Sequence, residues 1–211
     1  GFSYYDTQNG FHIYKNDYAL PMGFTFDTYV SRSQWETYSE SDRCNLLLRA
    51  LVLEDDAVET YQKDMQKLPD AVHPMSDEDL LAECTERTKT ACDSFTYNSK
   101  GFHATISTDH ANLVFFSVPW EEGWSAEVNG EPVSIEKADV GFMAVPVAAG
   151  DSEITFTYHT PGLKAGALLS LGGLVLFAGY LTVASIYNKR HPNPKTESIC
   201  CVDYSTEETA N

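Results

Sequence analysis

Two tryptophans and two carboxylates stand within five residues, at Trp120-Glu121-Glu122-Gly123-Trp124. Residues of these types do two kinds of chemistry. The face of an aromatic ring can stack on the apolar face of a sugar. Two carboxylates can act as acid and base on a glycosidic bond when they stand at a set separation across it. Glu121 and Glu122 are sequence neighbours on a loop, so their spacing gives no such separation and no catalytic residue is expected from them. Trp120 and Trp124 remain as carbohydrate-contact candidates. The competing reading is that both rings pack a small sheet.

Other reactive groupings are thin. His103, Asp109 and His110 flank a turn, but no third ligand is placed beside them, so no metal site is expected. The acidic run Asp77-Glu78-Asp79 lacks the spacing and glycine of a calcium loop. There is no glycine-rich phosphate loop, nucleophile elbow or His-Glu-x-x-His motif. No cofactor is expected. Cys84 and Cys92 are eight positions apart, which on an intact helix is about 12 Å and too far for a disulfide. Cys200 and Cys201 could carry acyl chains, but free thiols are the simpler reading.

The elements around the tryptophans are legible. Phe102, Ala104 and Ile106 alternate with polar residues, as on a strand with one buried face. "NLVFFSVPW" is a continuous apolar run, as on a strand buried on both faces. Trp124 is in phase with Ala126 and Val128, which points it to the core, while Trp120 sits at a strand end beside Pro119. Asn129-Gly130 predicts a hairpin turn, because both residues must take positive φ. Val133 and Ile135 lie on the returning strand, and "VGFMAVPV" and "SEITFTYHT" add two more. Six short strands in about 60 residues predict a compact antiparallel sandwich.

Upstream, "YALPMGFTFD" reads as extended. Ser39 to Leu53 reads as a helix with Ser41 at its N-cap, and "EDDAVETYQKDMQKL" as a second, polar helix. Leu68 to Pro74 carries two prolines and reads as a linker. "SDEDLLAECTERTKTACDSF" reads as a helix capped by Ser76, with acidic residues in its first turn against the helix dipole.

Ala165 to Tyr187 is 23 residues without a charge. As a helix it would be roughly 35 Å long, enough for a hydrocarbon core of about 30 Å. Lys189 and Arg190 follow, then Pro192 and Pro194, whereas only Lys164 is basic on the other flank. By the positive-inside rule these residues set the topology: residues 1–163 outside the cell, 188–211 in the cytoplasm. Ala165, Gly172 and Gly179, with Gly166 and Gly173 alongside, form a stripe of small residues that would let other helices approach.

The charge is unevenly spread. Residues 1–163 hold 27 of the 31 acidic residues and 10 of the 14 basic ones, so the whole net charge of −17 lies there. Such a body repels phosphates, which excludes nucleic-acid binding as a main function. The expected class is α+β: a mixed segment over 1–74, a helix plus an antiparallel sandwich-like domain over 75–160, one transmembrane helix over 161–190 and a disordered cytoplasmic tail over 191–211. The chain opens without Met or signal peptide, which reads as a fragment of something longer or a processed form.

"LVFFSVPWEEGWSAEVNGEPV" and "VGFMAVPVAAGDSEITFTYHTPGLKAGALLSL" resemble the C-terminal end of the bacterial YfhO-family membrane proteins, and "YALPMGF" resembles the start of that family's outer domain. The resemblance implies a polytopic protein that looks like a glycosyltransferase of GT-C architecture, taking a sugar from a polyprenyl-phosphate carrier to a cell-surface polymer such as teichoic acid. In that architecture the catalytic acid lies in an early outer loop near the first helices. No position here matches it, so the chain by itself is expected to be catalytically inert. Its implied partners are the bilayer, other membrane helices of the parent protein, and the carrier-linked sugar or cell-wall polymer. The alternative is a membrane-tethered, non-catalytic carbohydrate-binding or adhesion module.

Overall fold

The computed structural model describes residues 1–69 and 75–191. Asn9 and Gly10, at φ 53° and 82°, turn β1 (Phe2–Gln8) back into β2 (Phe11–Asn16), and the two pair only with each other. The strands β3 (Phe24–Thr25) and β4 (Thr28–Ser31) follow, then α1 (Arg32–Glu36), capped by the Ser31 hydroxyl. Ser39, not Ser41, caps α2 (Glu40–Arg49) by accepting from the Asp42 N–H. The helix expected to run on to Leu53 stops at Ala50, and Leu51–Leu53 is strand β5, buried throughout. The expected polar helix is likewise short: α3 spans Asp55–Tyr61 and β6 (Gln66–Lys67) follows. The proline linker expected over 68–74 lies largely outside the described residues.

Ser76 caps α4 (Asp77–Lys89) as expected, in a reciprocal capping box with Asp79. This helix ends six residues before Phe95, and Ser94–Asn98 is strand β7. Then come β8 (Gly101–Thr108), β9 (Asn112–Pro119), β10 (Trp124–Val128), β11 (Glu131–Val133), β12 (Glu136–Ala138), β13 (Phe142–Val147) and β14 (Gly150–Tyr158). The apolar run becomes α5 (Leu163–Arg190). The chain divides after Pro161: Gly1–Pro161 is one compact unit, and a second begins at Gly162.

Two larger sheets build the first unit. One has the order β11-β10-β14-β8-β7 and is antiparallel throughout. The other has the order β3-β9-β13-β12-β5-β4-β6, in which β4 runs parallel to both β5 and β6. Residues on both sides of position 74 therefore share one sheet. Strands of two to four residues show too little alternation to be read beforehand, which is why β3 to β6 are not apparent as part of the sandwich.

The period-two pattern decides what packs where. On β9, Val114 and Phe116 face the five-stranded sheet and meet Phe102, Ile154 and Phe156, while Leu113 and Phe115 face the other way against Phe24, Phe26 and Leu53. This is the strand buried on both faces that its sequence announces. Met143, Val145 and Val147 of β13 join the sandwich core. On the outer part of the large sheet, Val30 and Val52 pack with Trp35, Tyr38 and Leu47 from and beside α1 and α2. Arg87 of α4 is buried; its guanidinium donates to the Thr25 carbonyl at 2.7 Å and lies 4.7 Å over the Phe26 ring. A buried cation held by a carbonyl and an aromatic face fastens α4 to β3.

Candidate functional site

Asn129 and Gly130 make the expected turn between β10 and β11, at φ 54° and 81°. The turn is also tied down. The Asn129 side-chain oxygen accepts from the Glu153 N–H at 2.8 Å, and the Asn129 N–H donates to the Glu153 carbonyl at 2.8 Å. This locks the hairpin to β14 and fixes the register in which Trp124 faces Tyr158 and Ala126 faces Phe156. Gly123 permits the close start of β10: a Cβ there would lie 2.6 Å from both the His159 carbonyl and the Tyr158 ring.

One rung of the five-stranded sheet reads Ala126, Phe156, Phe102, Tyr97 from β10 to β7. The first three are buried in the sandwich core, and Tyr97 shares their face yet is 83 % exposed. The next rung outward carries Trp124 and Tyr158, both half-buried, with rings 5.0 Å apart. Inner-face rings thus continue outward from the buried core. They line an open cleft of about 550 Å3, bounded as well by Met22, Phe95 and Val118.

The polar groups of this cleft are few. Tyr158 Oη donates to Glu121 Oε2 at 2.8 Å, and this bond to a carboxylate raises the phenol above its ordinary value. Asn98 and Lys100 lie on the β7–β8 turn, where the Lys100 N–H donates to Asn98 Oδ1 at 2.7 Å. Glu122 does not line the cleft, so the Glu121-Glu122 pair is not arranged across it. Glu121 and Trp124 also border a second, smaller hollow of about 350 Å3, where Trp120 and Glu122 stand. There Lys137 Nζ sits 4.4 Å from the Trp120 ring centroid.

The structure brings Trp120 and Trp124 to neighbouring hollows that share a wall, both half-buried against the sandwich core. Sequence spacing alone does not single out Tyr97 and Tyr158; the alternation of Phe95 with Tyr97 and of Phe156 with Tyr158 carries the signal once the pairing is known. The histidines go to separate partners. His103 Nε2 is 2.8 Å from Glu153 Oε1, and His110 Nε2 is 3.9 Å from Asp27 Oδ1. Among the described residues no group of three or more His, Cys, Asp or Glu side chains gathers for a metal ion. Cys44, Cys84 and Cys92 are free thiols, and burial pushes the Cys92 thiol up to about 12. Cys200 and Cys201 lie outside the described residues.

In the second unit, α5 is 28 residues long and ends on Lys189 and Arg190 in its last turn. Its leucines, valines and phenylalanine are all exposed, and the helix is long and apolar enough to cross a membrane. Pro192 and Pro194 lie outside the described residues.

An α+β unit followed by an exposed apolar helix of spanning length is the build of a membrane protein with a domain in water. Its sequence kinship agrees. The family described as bacterial membrane protein YfhO matches residues 72–170. A curated protein of Bacillus subtilis strain 168, described as uncharacterized protein YfhO, is 28 % identical over 121 residues. That match covers 57 % of this chain and 13 % of the relative's length. No solved structure matches the chain significantly.

Proposed function

We propose that this chain supplies an extracytoplasmic accessory domain and the last membrane helix of a polytopic, YfhO-like glycosyltransferase. The parent enzyme would move a sugar from a polyprenyl-phosphate carrier to a cell-surface polymer such as teichoic acid. The observation that carries this reading is α5: it follows family-matched sheet sequence, carries the uncharged run from Ala165 to Tyr187, and ends on Lys189 and Arg190. By the positive-inside rule the basic end supports a cytoplasmic C-terminal flank, with residues 1–163 on the outer side. The stripe Ala165, Gly172 and Gly179 supports packing against other membrane helices.

The test is transfer from a polyprenyl-phosphate sugar. The purified chain is expected to show none, and turnover abolished by one substitution within residues 1–191 would overturn the accessory reading. The second reading, a tethered carbohydrate-binding module, is favoured by the aromatic cleft itself, and the two are compatible.

A further inference from the structure

We infer that the open end of the sandwich is a binding site for an uncharged saccharide, held against Tyr97, Trp124 and Tyr158 with Glu121, Asn98 and Lys100 at its rim. In a sandwich, rings on the inner face of one sheet are normally covered by the other. Here Tyr97 shares a rung with buried Phe102 but is 83 % exposed, and the Trp124–Tyr158 rung opens into the same space. Exposed Tyr97 and half-buried Trp124 and Tyr158, all in core register, form a preformed wall: β10 and β14 are paired on both sides, and the edge strand β7 is held by its pairing with β8. A cleft of about 550 Å3 falls within the range of about 300–1,000 Å3 typical of small-ligand sites, which are mostly apolar with a few placed polar groups.

The chemistry of the wall selects among occupants. A pyranose offers an apolar C–H face for the rings and hydroxyls around its edge. Glu121 accepts hydrogen bonds from such hydroxyls while already fixed by Tyr158 Oη, Lys100 donates, and the Asn98 amide does either. A hydrocarbon tail would use the rings but would strip water from the Glu121 carboxylate without replacing its hydrogen bonds, which is costly. A phosphate-bearing polymer would meet a unit that holds the chain's whole net charge of −17, with Glu121 at the cleft itself. A neutral sugar avoids both penalties. This inference deepens the glycosyltransferase reading by giving the accessory domain a grip on a neutral sugar residue and not on the phosphates of carrier or polymer, and it uses that reading only for the domain's outward placement.

The experiment uses the full chain in phosphocholine micelles, since maltoside detergents would compete. Cellobiose, maltose, diacetylchitobiose and glycerol phosphate are titrated at millimolar concentrations. Tryptophan fluorescence and saturation-transfer NMR report contact. At least one of the neutral disaccharides is expected to saturate, with transfer to its ring C–H protons, and glycerol phosphate is not. Tyr97→Ala, at an exposed position on an edge strand, is expected to weaken binding about tenfold, on the scale of losing one aromatic contact. Glu121→Gln is expected to weaken it less, and Trp120→Ala, in the neighbouring hollow, not at all. No saturation by any neutral disaccharide, binding untouched by Tyr97→Ala, or contact only with micelle acyl chains would overturn the inference. Each of those results leaves the membrane topology and the transferase reading standing, because neither orientation nor transfer is measured here.

Discussion

Asp139 and Val52 exchange two hydrogen bonds across 87 positions of sequence: the Val52 N–H donates to Asp139 Oδ1 at 2.8 Å, and the Asp139 N–H donates to the Val52 carbonyl at 2.9 Å. This clamp joins the β12–β13 turn to β5. The carboxyl is buried, and desolvation pushes it up to about 7 from an ordinary 3.8, against the lowering effect of the Val52 bond. The folded state therefore holds a proton that the unfolded state has released. Stability from this group is complete below about pH 3.8 and is lost as pH rises through about 7. Asp139→Asn keeps an acceptor for Val52 and cannot ionise. It is expected to flatten that decline and to stabilise the protein at pH 8 by on the order of 2–4 kcal/mol. Urea unfolding between pH 5 and 8, followed by tryptophan fluorescence, checks it; a variant that parallels the parent at every pH would contradict it. All three tryptophans, Trp35, Trp120 and Trp124, lie in the first unit, so the readout reports that unit.

The two Asn-Gly turns are expected to respond differently. Gly130→Val puts a β-branched residue at φ 81° in a turn locked to β14, and should cost about 1–2 kcal/mol. Gly10→Val imposes the same local strain at φ 82°, but its hairpin pairs with no other strand. Cooperative unfolding of the unit should hardly move. Equal shifts in the urea midpoint would mean that the first hairpin is coupled to the core.

Core and rim aromatics should separate by energy. Phe156 is 1 % exposed within the sandwich, so Phe156→Ala is expected to cost about 3–5 kcal/mol. Trp124 is half-buried and should cost less, about 2–3 kcal/mol, and Trp120→Ala, whose ring is half-buried and faced by Lys137, less again. Urea midpoints of the three variants give the order directly, and a larger loss from Trp120 than from Phe156 would reverse it.

Orientation is testable without activity. Protease added to intact cells should digest residues 1–163 and spare an epitope placed after Asn211. Exchanging Lys189 and Arg190 for Glu should weaken that preference, because basic residues beside a membrane helix favour the cytoplasmic side. Protection of the first unit in the parent chain would reverse the topology.

Much of this fold is written in local signals. Ser76 with Asp79, Asn129-Gly130, the two-faced run of β9 and the uncharged run of α5 each declare themselves within a few residues. The seven-stranded sheet does not. Leu51–Leu53 follows α2 with no Gly or Pro between them, and its strand character comes from pairing with Tyr29, Val30 and Ser31 on one side and Ala138 on the other. Asn9-Gly10 carries the same turn signal as Asn129-Gly130, but its flanking strands are exposed on both faces, so no alternation draws attention to it. The cleft needs more still. Tyr97 becomes significant only once its register with Phe102 is known, and sequence spacing alone does not supply that.

The order of the large sheet, β3-β9-β13-β12-β5-β4-β6, interleaves early and late segments of the chain. During synthesis β4, β5 and β6 emerge first and can pair among themselves, but β5 then presents a bare hydrogen-bonding edge until β12 arrives. Contacts of such long reach close slowly, and an open apolar edge templates pairing with other chains in the meantime. Leu51, Val52 and Leu53 lie on that edge, and all three are buried once the sheet is complete. The newborn chain is thus most vulnerable at a strand that the finished molecule hides, and its safe assembly depends on how quickly β12 is delivered or on a chaperone that covers the gap.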